Sequence, residues 1–251
     1  MADGFKDHFS THAAAYAAAR PSYPPSLADW LAGAAPRRGL ALDCGCGSGQ
    51  LSRLLAERFE RVVATDASAE QIANAATRPN LDYRVAPAER SGVPDGSADL
   101  VTVAQAAHWF DLPAFYAEMR RVAAPGAALA LIAYGVLVLD GEPGRVAQDF
   151  YERVLGDYWP PERALVESGY RDLPFPFAEE AVPPFAIDVS WTLSELADYV
   201  DTWSAVRALE RAEGRAAVER FRAALADVWG DPAVPRAVSW PLAIRFGRIG
   251  R

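Results

Sequence analysis

Short apolar runs alternate with segments of helical periodicity along the first half of the chain. "LALDC" (40–44), "RVVATD" (61–66), "LDYRVA" (81–86), "ADLVTVAQA" (98–106) and "AALALIAYG" (127–135) have the near-continuous apolar character of strands buried on both faces. Between them, "GQLSRLLAERF" places Leu51, Leu54, Leu55 and Phe59 on one helical face. "SAEQIANAATR" reads as a second helix, with Ser68 as its cap and Gln71 completing a capping box. "PAFYAEMRRVAAPG" reads as a third, closed by its Pro and Gly. Strands and helices alternating at this spacing predict an α/β fold with a doubly wound sheet.

Past Tyr134 the rhythm breaks. Residues 140–190 are rich in proline and aromatics, with one helical stretch at 144–155. Such a segment predicts a lid or a packed excursion over the surface. "SELADYVDTWSAVRALERAEG" and "AAVERFRAALADVWG" predict two helices, and "AVSWPLAIRFGRI" predicts a last strand returning to the same sheet.

Composition narrows the partners. A formal net charge of −8, with the acidic residues scattered, lacks the footprint of a protein that binds nucleic acid or anionic lipid. No window approaches ~18 uninterrupted apolar residues, and the first twenty residues lack a charged stretch followed by an apolar one. A cytoplasmic protein with no membrane partner is expected, as a monomer or homodimer. The two cysteines, Cys44 and Cys46, stand too close for an ordinary disulfide and lack the partners of a zinc site, so no metal is expected. His8 and His12 are four apart without the Glu after His8 that a zincin requires.

The chemistry concentrates in "ALDCGCGSGQ" (41–50). Gly45, Gly47 and Gly49 fall at the first strand-to-helix turn, where open α/β sheets bind ligands and where a missing Cβ lets a ligand lie on the backbone. Gln50 stands where a dinucleotide fingerprint has its last glycine or alanine. Asp43, two residues before the first glycine, would repel a pyrophosphate at the helix N-terminus and attract an ammonium. S-adenosylmethionine carries an ammonium and a sulfonium and no phosphate, so this loop suits it and disfavours NAD. The alternative is a glycine turn in which Asp43 bonds nearby backbone. Asp66, closing the second strand, can accept both hydroxyls of a ribose or simply cap the next helix. Ala88 and Glu89, after the third strand, offer a backbone N–H and a carboxylate to an adenine edge; Glu89 can equally be a solvated loop charge.

The ordered segments "LDCGCGSG", "VVATDAS", "APAERSGVPDGSADLVTVAQAAHWFD" and "RRVAAPGAALALIAYG" resemble the class I S-adenosylmethionine-dependent methyltransferases. "HFSTHAAAYAAARPSYP", "AQAAHWFD" and "WPLAIRFGRI" narrow the resemblance to the trans-aconitate methyltransferase-like branch of the type 11 family. It implies a Rossmann-like seven-stranded sheet whose last strand, 237–249, lies antiparallel between the fifth and "FAIDVSW" as the sixth. It also implies a single domain made of an N-terminal helical cap (1–37), a cofactor-binding core (38–135), a lid and acceptor region (136–190) and C-terminal helices with the final strand (191–251). By the same resemblance Asp43, Gly45 and Gly47 hold the methionine moiety, Asp66 the ribose, and Ala88 and Glu89 the adenine, with Ala67 also among the cofactor-binding residues. Gln105 stands beside the transferring methyl, and Tyr16 and Arg20 close over the cofactor, Arg20 being suited to a carboxylate. "APGA" before the fifth strand departs from the family's usual basic residue and second glycine, which bears on the turn.

Methyl transfer from a sulfonium needs alignment in a dry pocket above all. An amine or hydroxyl acceptor benefits from a general base, whereas a carboxylate acceptor needs none. His108 is the one histidine near the predicted site, and serves either as that base or as a structural group bonded to a loop. Tyr23, Trp109, Tyr134 and Trp203, with Tyr158 and Trp159, either line the acceptor pocket and face the sulfonium or pack in the core. The expected activity is O- or N-methylation of a small molecule, a carboxylate included. The alternative is a non-catalytic S-adenosylmethionine-binding regulator or partner subunit.

Overall fold

The computed structural model describes residues 21–250. Helix α1 (Pro25–Ala34) leads into β1 (Leu40–Cys44), α2 (Gln50–Ala56), β2 (Arg61–Asp66), α3 (Ala69–Ala73), β3 (Leu81–Val85), β4 (Ala98–Ala104), α4 (Leu112–Val122) and β5 (Ala123–Tyr134). The five strands are parallel in the order β3-β2-β1-β4-β5. Successive side chains along each strand point to opposite faces, and both faces are covered. Ala41, Val62, Leu100 and Ile132 join one core with Leu27 and Leu31 of α1 and Leu51 and Leu55 of α2. Leu42, Val63, Val101 and Leu131 join the other with Phe115, Met119 and Val122 of α4. Burying one such side chain stabilises by about 1.5–3 kcal/mol, and β5 is buried without interruption from Ala127 to Tyr134.

Then follow β6 (Val138–Leu139), α5 (Gly141–Asp149), α6 (Arg163–Glu167), β7 (Ala186–Trp191), α7 (Leu193–Asp201), α8 (Ser204–Glu213), α9 (Ala216–Trp229) and β8 (Arg236–Arg248). Strand β8 runs antiparallel to β5 over Leu242–Arg248 and to β7 over Arg236–Pro241. The last strand therefore sits between the fifth and "FAIDVSW", as the resemblance implies. The two-residue β6 extends the β5 side of β8 and brings the sheet to eight strands. Among the described residues no helix is long and apolar enough to cross a membrane.

Local departures from the sequence pattern have identifiable causes. The third helix ends at Val122, and Pro125 and Gly126 (φ +79°) lie inside the start of β5, where the register with β4 shifts between Ala98 and Leu100. Helix α3 stops at Ala73; its Ser68 Oγ accepts the Gln71 N–H (3.3 Å), but the Ser68 N–H goes to Asp66 (2.8 Å), so no reciprocal box forms. The helix expected at 144–155 starts at Gly141 and loosens into a π-turn over Phe150–Val154. The long helix expected from Ser194 to Gly214 is broken at Trp203, whose extended backbone (ψ 137°) separates α7 from α8 while its ring is buried.

Candidate active site

A cavity of about 730 Å³ opens beyond the carboxyl ends of β1, β2, β4 and β5, where the strand order reverses and open α/β sheets bind ligands. Asp43, Gly45, Gly47, Asp66 and Ala67 form one side of its wall, Ala88, Glu89 and Gln105 continue it, and His108, Trp109, Tyr23, Tyr134 and Trp203 complete it. Tyr16 and Arg20 lie outside the described residues.

The three loop glycines meet three different demands. All have left-handed backbones, at φ +66°, +55° and +83°. A Cβ on Gly45 would lie 2.4 Å from Ala106 Cβ, so this residue is glycine because the loop after β4 presses on it. A Cβ on Gly49 would lie 1.9 Å from the Tyr83 hydroxyl of β3. A Cβ on Gly47 would meet nothing closer than Gln71 Oε1 at 3.8 Å, so its bare backbone faces the cavity. The turn is tied down by Cys46 N–H to Thr65 O (3.0 Å) and Gly49 N–H to Cys46 O (2.9 Å). Burial pushes both cysteine thiols well up, which leaves them inert.

Asp66 accepts Gly47 N–H at Oδ2 and Ser68 N–H at Oδ1, each at 2.8 Å. It thus locks the glycine turn to the loop after β2, braces the start of α3 and stands in the cavity wall. Asp43 is 1% exposed and accepts from Ser52 Oγ (2.6 Å) and Thr102 Oγ1 (2.8 Å). Burial pushes its carboxyl up to about 6, against the pull of those two hydroxyls and with a push from Asp66. Its direct partners are therefore side chains of α2 and β4. Each oxygen retains a second lone pair, and a cation bound beside it would favour its charged form.

Gln105 follows β4 with φ +61°, a conformation that costs a non-glycine residue about 1–2 kcal/mol. The strain is held by Gln105 N–H to Ile132 O (2.9 Å) and Gln105 Nε2 to Tyr134 O (2.8 Å), which carry the side chain across to β5. Ala88 is buried in the wall, while Glu89 accepts the Asp111 N–H (2.8 Å) and joins the loop after β3 to the start of α4.

Another part of the lining is aromatic and comes from distant segments. Trp159 stacks near Tyr151 and Trp203, at centroid distances of 4.6 and 5.7 Å. The π-turn puts Tyr151 here, consistent with the frequent use of such turns at functional sites. Tyr158 does not join this wall; its hydroxyl bonds Glu213. Arg163 lines the cavity with its guanidinium 5.1 Å from the Trp159 ring and its Nε 2.7 Å from the Tyr151 hydroxyl. Glu167 approaches the same Nε at 3.5 Å and also takes the Tyr151 hydroxyl, and Glu162 lines the cavity nearby. Only part of the region expected as a lid (136–190) reaches the site: Val136 and Leu137 and side chains between Tyr151 and Val166 do, whereas Pro174 and Phe177 pack on Tyr116 of α4. Sequence reasoning missed Tyr151, Arg163 and Tyr199 of this wall, because no local pattern sets them apart from other surface or core positions.

His108 sits on the short turn Ala107–Trp109 with Nδ1 3.0 Å from the Tyr170 hydroxyl. Its burial, and then the nearby Arg163 charge, lower its pKa to about 4. It is neutral at physiological pH.

A family model described as a methyltransferase domain matches residues 42–131, the span from β1 through most of β5. A candidate methyltransferase of Dictyostelium discoideum is 33% identical over 212 residues, covering 83% of this chain and 81% of that protein. The chain belongs to the methyltransferase family. The solved structure of a candidate type II methyltransferase from Anaeromyxobacter dehalogenans superposes with a TM-score of 0.88 at 50% identity, over 92% of this chain and 98% of that one. An uncharacterized methyltransferase of Mycobacterium tuberculosis is 43% identical over 114 residues, 45% of this chain and 46% of its own. The cofactor of this methyltransferase is S-adenosylmethionine. Its site fits that group: open backbone at Gly47, a carboxylate at Asp66 oriented by two N–H groups, and an acid, Asp43, where a pyrophosphate would be repelled.

Proposed function

We propose that this methyltransferase acts on a small molecule and transfers the methyl group to oxygen, with a carboxylate-bearing acceptor docked on Arg163. The observation that carries this reading is the state of the guanidinium. Its Nε is engaged by Tyr151 and Glu167, one face lies over aromatic rings, and its two terminal nitrogens have no hydrogen bond among the described residues. A planar fork of donors held in that way is suited to a carboxylate. The cavity size and its aromatic lining support a small acceptor, within the range of about 300–1,000 Å³ usual for small-ligand sites.

When bound, the cofactor supplies an electrophilic methyl on a sulfonium. Asp43 and Asp66 bind and orient, Gln105 fixes the loop beside β5, and the aromatic wall excludes water. A carboxylate nucleophile is already anionic, so no proton has to leave it, and a histidine that stays neutral suits such an acceptor better than an amine that must be deprotonated. The flanking segments that resemble the trans-aconitate branch support the same class of acceptor. S-adenosylhomocysteine release should be measured across panels of carboxylic acids, phenols and amines. Turnover confined to carboxylate-bearing molecules is expected. A preferred substrate without a carboxylate, or efficient methylation of DNA, RNA or intact protein, would overturn the reading, and binding without any turnover would favour a cofactor-binding regulator.

A further inference from the structure

We propose that Tyr170 is a positioning residue: it holds His108 as the tautomer protonated on Nε2, so that this histidine offers the acceptor a hydrogen-bond donor and not a base. The proposal rests on the reading of the aromatic wall as the acceptor side.

Tyr170 is fully buried, and its hydroxyl lies 3.0 Å from His108 Nδ1 with no other side-chain partner among the described residues. A hydroxyl has one proton to give and two lone pairs. Nδ1 is the one acceptor within reach of the phenol proton among the described residues, so the hydroxyl donates there. The reverse arrangement, Nδ1–H donating to the phenol, would leave a buried O–H with nothing to donate to, which native structures avoid. With Nδ1 accepting, a neutral imidazole carries its proton on Nε2. His108 lines the cavity, so the ring presents an N–H there.

The fold invests strain in this contact. Gly169 and Tyr170 are consecutive left-handed residues, at φ +64° and +62°, and a tyrosine takes that conformation only when its surroundings force it. Gly169 cannot be replaced freely, since its Cβ would lie 2.5 Å from Ala243 Cβ of β8. Arg245, also on β8, clamps the turn by donating to Tyr170 O (2.8 Å) and Leu173 O (2.6 Å). The last strand, the irregular segment after α6 and the turn after β4 thereby meet at one hydrogen bond. A simpler tyrosine in a regular element would pack as well; this one is bent so that its hydroxyl reaches His108.

The test is Tyr170→Phe, which keeps the ring and removes the hydroxyl. Imidazole ¹⁵N spectra of the ligand-free protein at neutral pH should show His108 protonated on Nε2 in the parent and the proton shared between both nitrogens in the variant. A proton on Nδ1 in the parent, or identical spectra, would overturn the assignment whatever the acceptor is. With an identified acceptor, Tyr170→Phe should raise its KM by roughly tenfold and leave S-adenosylhomocysteine affinity unchanged. His108→Gln, whose terminal amide nitrogen reaches the place of Nε2, should retain more activity than His108→Asn. Equal activity of those two variants, or an unchanged KM in Tyr170→Phe, would refute the donor role. Loss of S-adenosylhomocysteine binding in Tyr170→Phe would instead overturn the placement of His108 on the acceptor side.

Discussion

The cavity lining that leaves the parallel strands, the proposed cofactor side, is made largely of backbone and short loops, and the lining from later segments, the proposed acceptor side, of large side chains. On the first, Gly45, Gly47 and Asp66 belong to turns that leave adjacent parallel strands, and a few N–H groups fix their geometry. On the second, Tyr151, Trp159 and Arg163 come from the segment after β5, Trp203 from the break between α7 and α8, and Tyr23 from before α1. The two sides therefore have different tolerances. A backbone cradle fails when a Cβ is added; an aromatic wall can be reshaped one side chain at a time, which changes what it accepts while methyl donation stays the same.

Four substitutions test that contrast. The largest effect is expected from Gly45→Ala, which puts a Cβ 2.4 Å from Ala106 and 3.2 Å from Phe110 at φ +66°. Left-handed strain and overpacking together should lower stability by about 2–5 kcal/mol in urea unfolding. Gly47→Ala, with open space around its Cβ, should lose only the strain of about 1–2 kcal/mol and yet bind S-adenosylhomocysteine poorly. If it binds as the parent does, the backbone there is not the cofactor's seat.

Next comes Asp66→Ala, which removes the acceptor of two backbone N–H groups as well as the proposed ribose contact. Calorimetry should show S-adenosylhomocysteine affinity reduced about a hundredfold, corresponding to ~3 kcal/mol. Arg163→Met should behave in the opposite way. It keeps much of the apolar bulk over Trp159, so cofactor affinity should hold while the acceptor KM rises about 10–100-fold. Weakened S-adenosylhomocysteine binding in Arg163→Met would move that arginine to the cofactor's carboxylate and erase the division between the two sides.

The smallest effect is on pH dependence without ligand. His108 has a folded pKa of about 4 against an ordinary 6.5. As pH falls below 6.5 the unfolded chain takes a proton that the folded chain refuses, so stability drops toward pH 4. Asp43 is raised from 3.8 to about 6. Here the folded chain takes the proton first, so stability rises as pH falls from about 6 toward 3.8. The two groups oppose each other, and His108→Gln removes only the first. Its stability at pH 5 relative to pH 7.5 should exceed the parent's by about 1–2 kcal/mol in thermal or urea unfolding. An unaltered profile would mean that His108 is not held neutral.

The sequence by itself determined the doubly wound sheet and the glycine turn after β1, because these rest on short-range patterns, while the place of β8 was implied by the family resemblance of the ordered segments. Apolar runs write β1 to β5 directly, and a left-handed glycine turn after a strand has few other uses. The roles within that turn were legible less fully. Gly49 is glycine for Tyr83 and Gly45 for Ala106, and those contacts arise only when β3 and the loop after β4 fold against the turn. Asp43 shows the same limit: its charge was plain from the sequence, but the hydroxyls of Ser52 and Thr102 that surround it were not. Tertiary structure alone assembled the proposed acceptor side. Arg163 in "PPERALVE" looks like any helical surface charge until Tyr151 and Trp159 enclose it, and His108 had no fixed tautomer until Tyr170, 62 residues away, reached its Nδ1. The physical reason is that a strand or a glycine turn is specified by neighbours along the chain, whereas the pKa, tautomer and direction of a polar side chain are set by whatever the fold brings within about 4 Å of it.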